Sequence, residues 1–144
     1  MLNYIKLARL NQPIGIFLLF LPCLCGLALA AKQMTNIDFY QIGNFIALFF
    51  LGSVVMRSAG CVINDILDYK FDKKVARTKS RPLANGDLDF LQVLIFLFVL
   101  LLVGLLILLK FNQKTIFSGL FALFLLISYP LMKRITYYPQ VFLG

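Results

Sequence analysis

The chain has 144 residues, 61% of them hydrophobic and only 14% charged, and its mean hydropathy is +0.90. A soluble domain carries about 25% charged residues, so this composition excludes an ordinary water-soluble fold. The net charge of +8, from 14 Lys/Arg against 6 Asp with no Glu and no His, would suggest nucleic acid in a soluble protein; in a chain this apolar it reports membrane topology, and no nucleic-acid partner is expected.

Residues 1–12 form an amphipathic stretch that carries Lys6 and Arg9 and leads through Asn11-Gln12-Pro13 into the first apolar segment. Residues 14–31 hold no charged side chain, and Pro13 suits the first turn of a helix. A secretory signal peptide is the competing reading of a basic start before an apolar run. The run is longer than a signal core and is broken by Pro22 and Gly26, which favours a retained membrane helix at about 13–31. A short turn over 32–38 offers Asn36 or Asp38 as a cap for the next helix.

Residues 39–56 are again free of charge, and helical periodicity continues from Phe39 to about Asp72. The second helix therefore spans the bilayer at about 39–68 and runs on past its surface. A polar loop at about 73–87 follows, with Arg81-Pro82 and Asn85-Gly86 as breakers. The third helix, about 88–109, starts near Asp87 or Asp89; Lys110 to Lys114 make a tight turn, and a fourth helix covers about 114–132. Pro130 should kink or end that helix. The third and fourth uncharged windows are 90–109 and 115–132. Crossing a hydrocarbon core of roughly 30 Å takes about 20 helical residues. The expected fold is all-α, an integral membrane bundle of about four transmembrane helices, with no soluble domain, repeat or low-complexity tract.

Basic residues are unevenly placed. Ten of them lie before helix one, between helices two and three, or after helix four, against three in the other two connections; Arg57 lies within helix two. The positive-inside rule then places both termini and the 73–87 loop in the cytoplasm. Cys23, Cys25 and Cys61 fall in or beside apolar windows, with no CxxC pair and no His, so they read as small apolar side chains rather than a zinc or redox site.

Chemistry concentrates at the end of helix two. Asn64, Asp68 and Asp72 are spaced i, i+4, i+8, an arc of about 80° on one helix face, and Asp65 lies just beyond its edge. Arg57 and Cys61 fall on the same stripe, two turns and one turn back. Oxygen donors at this density suit Mg²⁺ or Mn²⁺, which prefer one or two carboxylates plus substrate phosphates to a full protein cage. The plainer reading pairs these acids with Lys70, Lys73 and Lys74 as a solvated helix end. Crowded carboxylates repel one another, and ionisable groups beside a membrane span are functional by default, so a cation site is the preferred reading. Arg77, Lys79 and Arg81 follow. They fit cytoplasmic topology, and equally a diphosphate gripped by guanidinium forks and an ammonium point charge.

The pattern Asn64-Asp65-x-x-Asp68-x-x-x-Asp72, followed by Arg77-Thr78-x-x-Arg81-Pro82, resembles the first aspartate-rich motif of the UbiA superfamily of membrane prenyltransferases. Tyr129 to Gln140 and Arg9 to Gly15 are similar to segments of the 4-hydroxybenzoate polyprenyltransferase branch, and Met56 to Cys61 also fits. The resemblance covers essentially the whole chain. It implies Mg²⁺-dependent transfer of a polyprenyl group from polyprenyl diphosphate to the ring of 4-hydroxybenzoate in ubiquinone synthesis, in a bacterial inner membrane. It further implies Asn64, Asp65, Asp68 and Asp72 at the metal, with Asp68, Asp72 and Arg134 catalytic. Arg57, Arg77, Lys79, Arg81 and Lys133 would bind diphosphate or the substrate carboxylate; for Lys133 and Arg134, membrane-side anchoring is an equal alternative.

The family is longer, with further helices and a second aspartate motif. The chain therefore reads as the N-terminal half of a UbiA-type bundle, with a separate C-terminal half as a possible partner besides the two substrates and the lipid bilayer. Two other readings stay open: a non-catalytic membrane fragment that binds a divalent cation or lipid diphosphate, and a superfamily member of the haem O or menaquinone pathway.

Overall fold

A computed structural model describes residues 2–33 and 38–135. It contains α1 (Leu2–Leu7), α2 (Ile14–Lys32), α3 (Phe39–Asp72), α4 (Phe90–Leu108) and α5 (Gln113–Ile135). Among the described residues, α2, α3 and α4 are long and apolar enough to cross a membrane, and the apolar stretch Gln113–Leu125 of α5 is shorter. The uncharged windows thus become helices as expected, because a backbone in hydrocarbon must satisfy its own polar groups.

The 34-residue α3 is the spine of the bundle, and at about 1.5 Å per residue it is about 51 Å long. That exceeds a hydrocarbon core of roughly 30 Å, so the charged end of α3 extends past the apolar zone. The Asp38 side chain accepts the Tyr40 N–H at 2.9 Å and so caps its start; Asn36 lies outside the described residues. α2 and α4 flank α3, while α1 and α5 touch it more lightly. Leu18, Leu29, Leu91 and Phe98 are among the many large apolar side chains of α2 and α4 that stay on the outside, where lipid is the matching solvent.

Aromatic contacts tie the upper part of the bundle together. Phe111 stacks on Phe45 and Phe49 at ring-centroid distances of 5.8 and 5.1 Å, and Phe20 meets Phe50 edge-on at 5.3 Å. The best buried core lies instead at the charged end. Leu7 of α1, Val62 of α3, Leu83 and Leu88 of the loop and Val93 of α4 form one cluster, flanked by Tyr4, Ile66, Tyr69 and Phe96. Burying these side chains holds the N-terminal helix and the basic loop against α3, which matters because both bring charge to its acidic end.

The α3–α4 connection is compact. The Thr78 hydroxyl donates to the Asp72 carbonyl at 3.2 Å, and the Asn85 and Leu88 N–H groups donate to the carbonyls of Arg81 and Pro82. Gly86 takes the left-handed conformation (φ 88°) expected of an Asn-Gly turn. The Asp89 N–H donates to the Gln92 side chain at 3.2 Å and α4 begins at Phe90. The Asn112 side chain accepts the Thr115 N–H at 2.8 Å and starts α5. Pro130 does not end α5, which continues to Ile135. A proline removes one hydrogen bond without forbidding the helix beyond it.

Candidate active site at the end of the central helix

The face predicted from spacing sits on the last turns of α3. Asn64 and Asp68 are half-buried and Asp72 is buried. Asn64, Asp68 and Asp72 lie one turn apart along the helix, where neighbouring side chains stand about 5–6 Å from one another. Arg77 and Lys79 are exposed on the loop that follows. Lys73 leans over the Tyr69 ring, its Nζ 4.2 Å from the centroid.

The ion pairs come from elsewhere. Asp65, only 3% exposed, accepts a hydrogen bond on Oδ1 from Arg9 Nη2 at 3.0 Å, and Arg81 Nη1 is 3.1 Å from the same oxygen. Arg81 Nη1 also lies 2.5 Å from Asp72 Oδ2. One guanidinium thus bridges two carboxylates seven residues apart on α3, and a second guanidinium from the N-terminal segment reinforces the more buried of them. Asp65, expected beside the metal ligands, is directed instead toward α1 and the loop. Being one residue on from Asn64, it is rotated by about 100° from that end of the stripe and lies about 20° beyond Asp72, which is why one guanidinium can reach both.

Arg9 reaches Asp65 from an unusual backbone. Its φ of 52° is left-handed, a conformation that costs a non-glycine residue about 1–2 kcal/mol. It turns the chain between α1 and α2, and the charge-assisted bond to a buried carboxylate offsets that cost. In the sequence Arg9 stands as a topological charge and as the first residue of the Arg9–Gly15 segment, with no partner assigned. The signal that could have found it is its position one turn before Pro13: a basic residue at a helix break is free to aim inward.

Arg57 lies deeper in α3. Its Nε is buried and meets no hydrogen-bond acceptor among the described residues. Its guanidinium rests on Gly15 at the start of α2, so closely that a Cβ there would stand 2.1 Å from Nε and 2.7 Å from Cζ. The missing side chain of Gly15 is what lets the guanidinium lie between the two helices. Lys133 and Arg134 belong to the last turn of α5, and their side chains lie outside the described residues.

Among the described residues no group of three or more His, Cys, Asp or Glu side chains is gathered for a metal ion. A closed protein cage is therefore not what this end of α3 builds. The donor chemistry still fits a hard cation of the Mg²⁺ kind, which typically takes one or two carboxylates and completes its octahedron with water and phosphate oxygens. Asn64, Asp68 and Asp72 would supply those protein oxygens, and Arg77 and Lys79 are exposed on the loop that follows.

The family described as the UbiA prenyltransferase family matches residues 19–144. Among the most similar relatives, the protein named 4-hydroxybenzoate polyprenyltransferase, mitochondrial, of Rattus norvegicus is 45% identical over 98% of this chain and 37% of its own length. The proteins of the same name from Arabidopsis thaliana and Schizosaccharomyces pombe are 49% and 46% identical, over 99% and 98% of this chain and 34% and 39% of their own lengths. The chain spans about a third of the length of the curated relatives it matches. No solved structure matches it.

Proposed function

The chain belongs to the UbiA prenyltransferase family, and from that premise we propose that it forms the diphosphate-activating part of a membrane enzyme that prenylates 4-hydroxybenzoate. One observation carries the reading. The oxygen donors Asn64, Asp68 and Asp72 end an apolar membrane helix against a basic loop, in a chain 45–49% identical to proteins named for that reaction. An isoprenoid tail suits the apolar bundle and a diphosphate suits the charged end.

In this reading the allylic C–O bond of polyprenyl diphosphate breaks, a C–C bond forms at the ring carbon beside the hydroxyl, and that carbon loses its proton. Asn64, Asp68 and Asp72 would hold Mg²⁺, which when bound supplies charge neutralisation on the departing diphosphate. Arg77 and Lys79 bind the phosphate oxygens, and Lys133 and Arg134 assist there or at the substrate carboxylate. The apolar walls keep water from the developing carbocation. Arg57 offers its buried donors to the carboxylate of 4-hydroxybenzoate. It lies about 10 Å along α3 from Asn64, by helical rise, a span that suits an aromatic acid whose ring reaches toward the allylic carbon. The reading includes a C-terminal half that supplies a second acidic motif.

Membranes containing the protein, given polyprenyl diphosphate, Mg²⁺ and 4-hydroxybenzoate, should yield the prenylated acid and should fall silent with a chelator. Turnover only of the acceptors of the haem O or menaquinone pathway would replace this substrate with another. Diphosphate binding without turnover on any acceptor would favour a non-catalytic binding role.

The side of the membrane follows from charge. We place both termini and the 73–87 loop on the cytoplasmic side of a bacterial inner membrane, supported by the ten basic residues gathered in those segments. The relatives named above carry "mitochondrial" in their names, and the orientation argument does not depend on which membrane holds the chain. An impermeant thiol reagent should label Lys79→Cys from the cytoplasmic side alone; labelling from the opposite side reverses the topology.

A further inference from the structure

We propose that Arg81 is the resident counter-ion of the acidic face, so that a divalent cation binds well only when a diphosphate arrives to receive the displaced guanidinium. The inference rests on the functional reading above and adds to it an interdependence between the two ligands. Its basis is the charge balance of the cluster. Asp65 and Asp72 carry two negative charges, and Arg9 and Arg81 carry two positive ones within 2.5 to 3.1 Å of them. These four groups balance, two charges against two.

A divalent cation that takes Asp72 as a ligand must compete with Arg81 for it, because both need the carboxylate oxygens. Arriving alone, the cation would add positive charge beside Arg81 and Arg9 and would push the guanidinium away with nowhere to put it. Arriving with a diphosphate, it brings compensating negative charge and a bidentate acceptor that suits a guanidinium fork. Two features let Arg81 move and keep Asp65 where it is. The Arg81 side chain keeps 27% of its surface exposed at the edge of the loop, whereas Asp65 is 3% exposed. Asp65 also retains Arg9 as a partner, so the departure of Arg81 does not orphan a buried carboxylate. Asp72 exchanges one cation for another.

Binding of Mn²⁺ to the full chain in lipid nanodiscs, followed by the electron paramagnetic resonance signal of the free ion, tests this with and without inorganic pyrophosphate. In the wild type, pyrophosphate should tighten Mn²⁺ binding by about tenfold or more, within the usual range of coupling between ligands. In Arg81→Gln, Mn²⁺ alone should bind more tightly than it does to the wild type, and the pyrophosphate effect should shrink. Arg81→Lys, which keeps the charge, should restore most of that effect. Equal Mn²⁺ affinity with and without pyrophosphate in the wild type overturns the inference, whether or not the variants fold. No Mn²⁺ binding under any condition overturns the metal role of α3 itself, a failure distinct from the first.

Discussion

Asp68→Ala should lower prenyl transfer by about a hundredfold or more while leaving the protein in the membrane. Asp68 stands at the centre of the Asn64–Asp68–Asp72 stripe, one turn from each neighbour, so a cation shared along that stripe cannot avoid it. The residue lies near the end of α3, past the uncharged window at 39–56, and replacing it leaves the apolar spans intact. Asp68→Asn makes a finer probe. It keeps shape and one oxygen donor but loses the charge, so activity should fall and then recover in part as Mg²⁺ is raised. Initial rates in isolated membranes across a Mg²⁺ series read both effects. Wild-type rates in Asp68→Ala, or activity that survives a chelator, would remove the metal from the mechanism.

The features legible in the sequence are those set by solvent and by period. Hydrocarbon forces uncharged stretches into helices, so α2, α3 and α4 follow from where charge is missing. The run of α3 on to Asp72 follows from periodicity that outlasts the apolar window, and the Asn64, Asp68, Asp72 stripe follows from a period of 3.6. A cap at Asn36 or Asp38, which the structure gives to Asp38, and a turn at Asn85-Gly86 are equally readable, because each is a local bargain between a short side chain or a glycine and its own backbone.

What could not be read is what the tertiary fold brings together. Nothing in the spacing tells that Arg9 reaches a carboxylate 56 positions away, or that Arg81 turns back onto Asp65 and Asp72. Lys70, Lys73 and Lys74 are the cations nearest in sequence, yet Asp65 and Asp72 pair with Arg9 and Arg81, brought in by the core of Leu7, Val62, Leu83 and Leu88. That choice has a physical reason. A fork of fixed N–H groups can serve two carboxylates at once, whereas an ammonium on a flexible stem gains less from being ordered. The use of Gly15, as the gap that seats the Arg57 guanidinium, is a matter of helix–helix approach that spacing does not reveal.

Asp65→Ala should be the most destabilising single change in the acidic stretch, although Asp65 is not expected to touch the metal. Removing it leaves Arg9 without its carboxylate and Arg81 with only Asp72, at a spot where the vacated carboxyl was 3% exposed. Breaking a buried pair from one side costs about 3–5 kcal/mol. Both guanidinium groups keep about a third of their surface in solvent, 30% and 27%, so the cost should sit near the lower end, about 3 kcal/mol. Arg9→Gln should cost less, about 1 kcal/mol, because Arg81 still neutralises Asp65 while the left-handed backbone at position 9 loses its compensation. The two changes share a partner, so the double variant should be scarcely worse than Asp65→Ala alone. Thermal unfolding in detergent, with proteolysis of the 73–88 connection as a second readout, measures the cycle. If Asp65→Ala unfolds like the wild type while losing Mn²⁺ affinity as Asp68→Ala does, then Asp65 is a metal ligand and its pairs with Arg9 and Arg81 are not what hold α1 and the loop to α3.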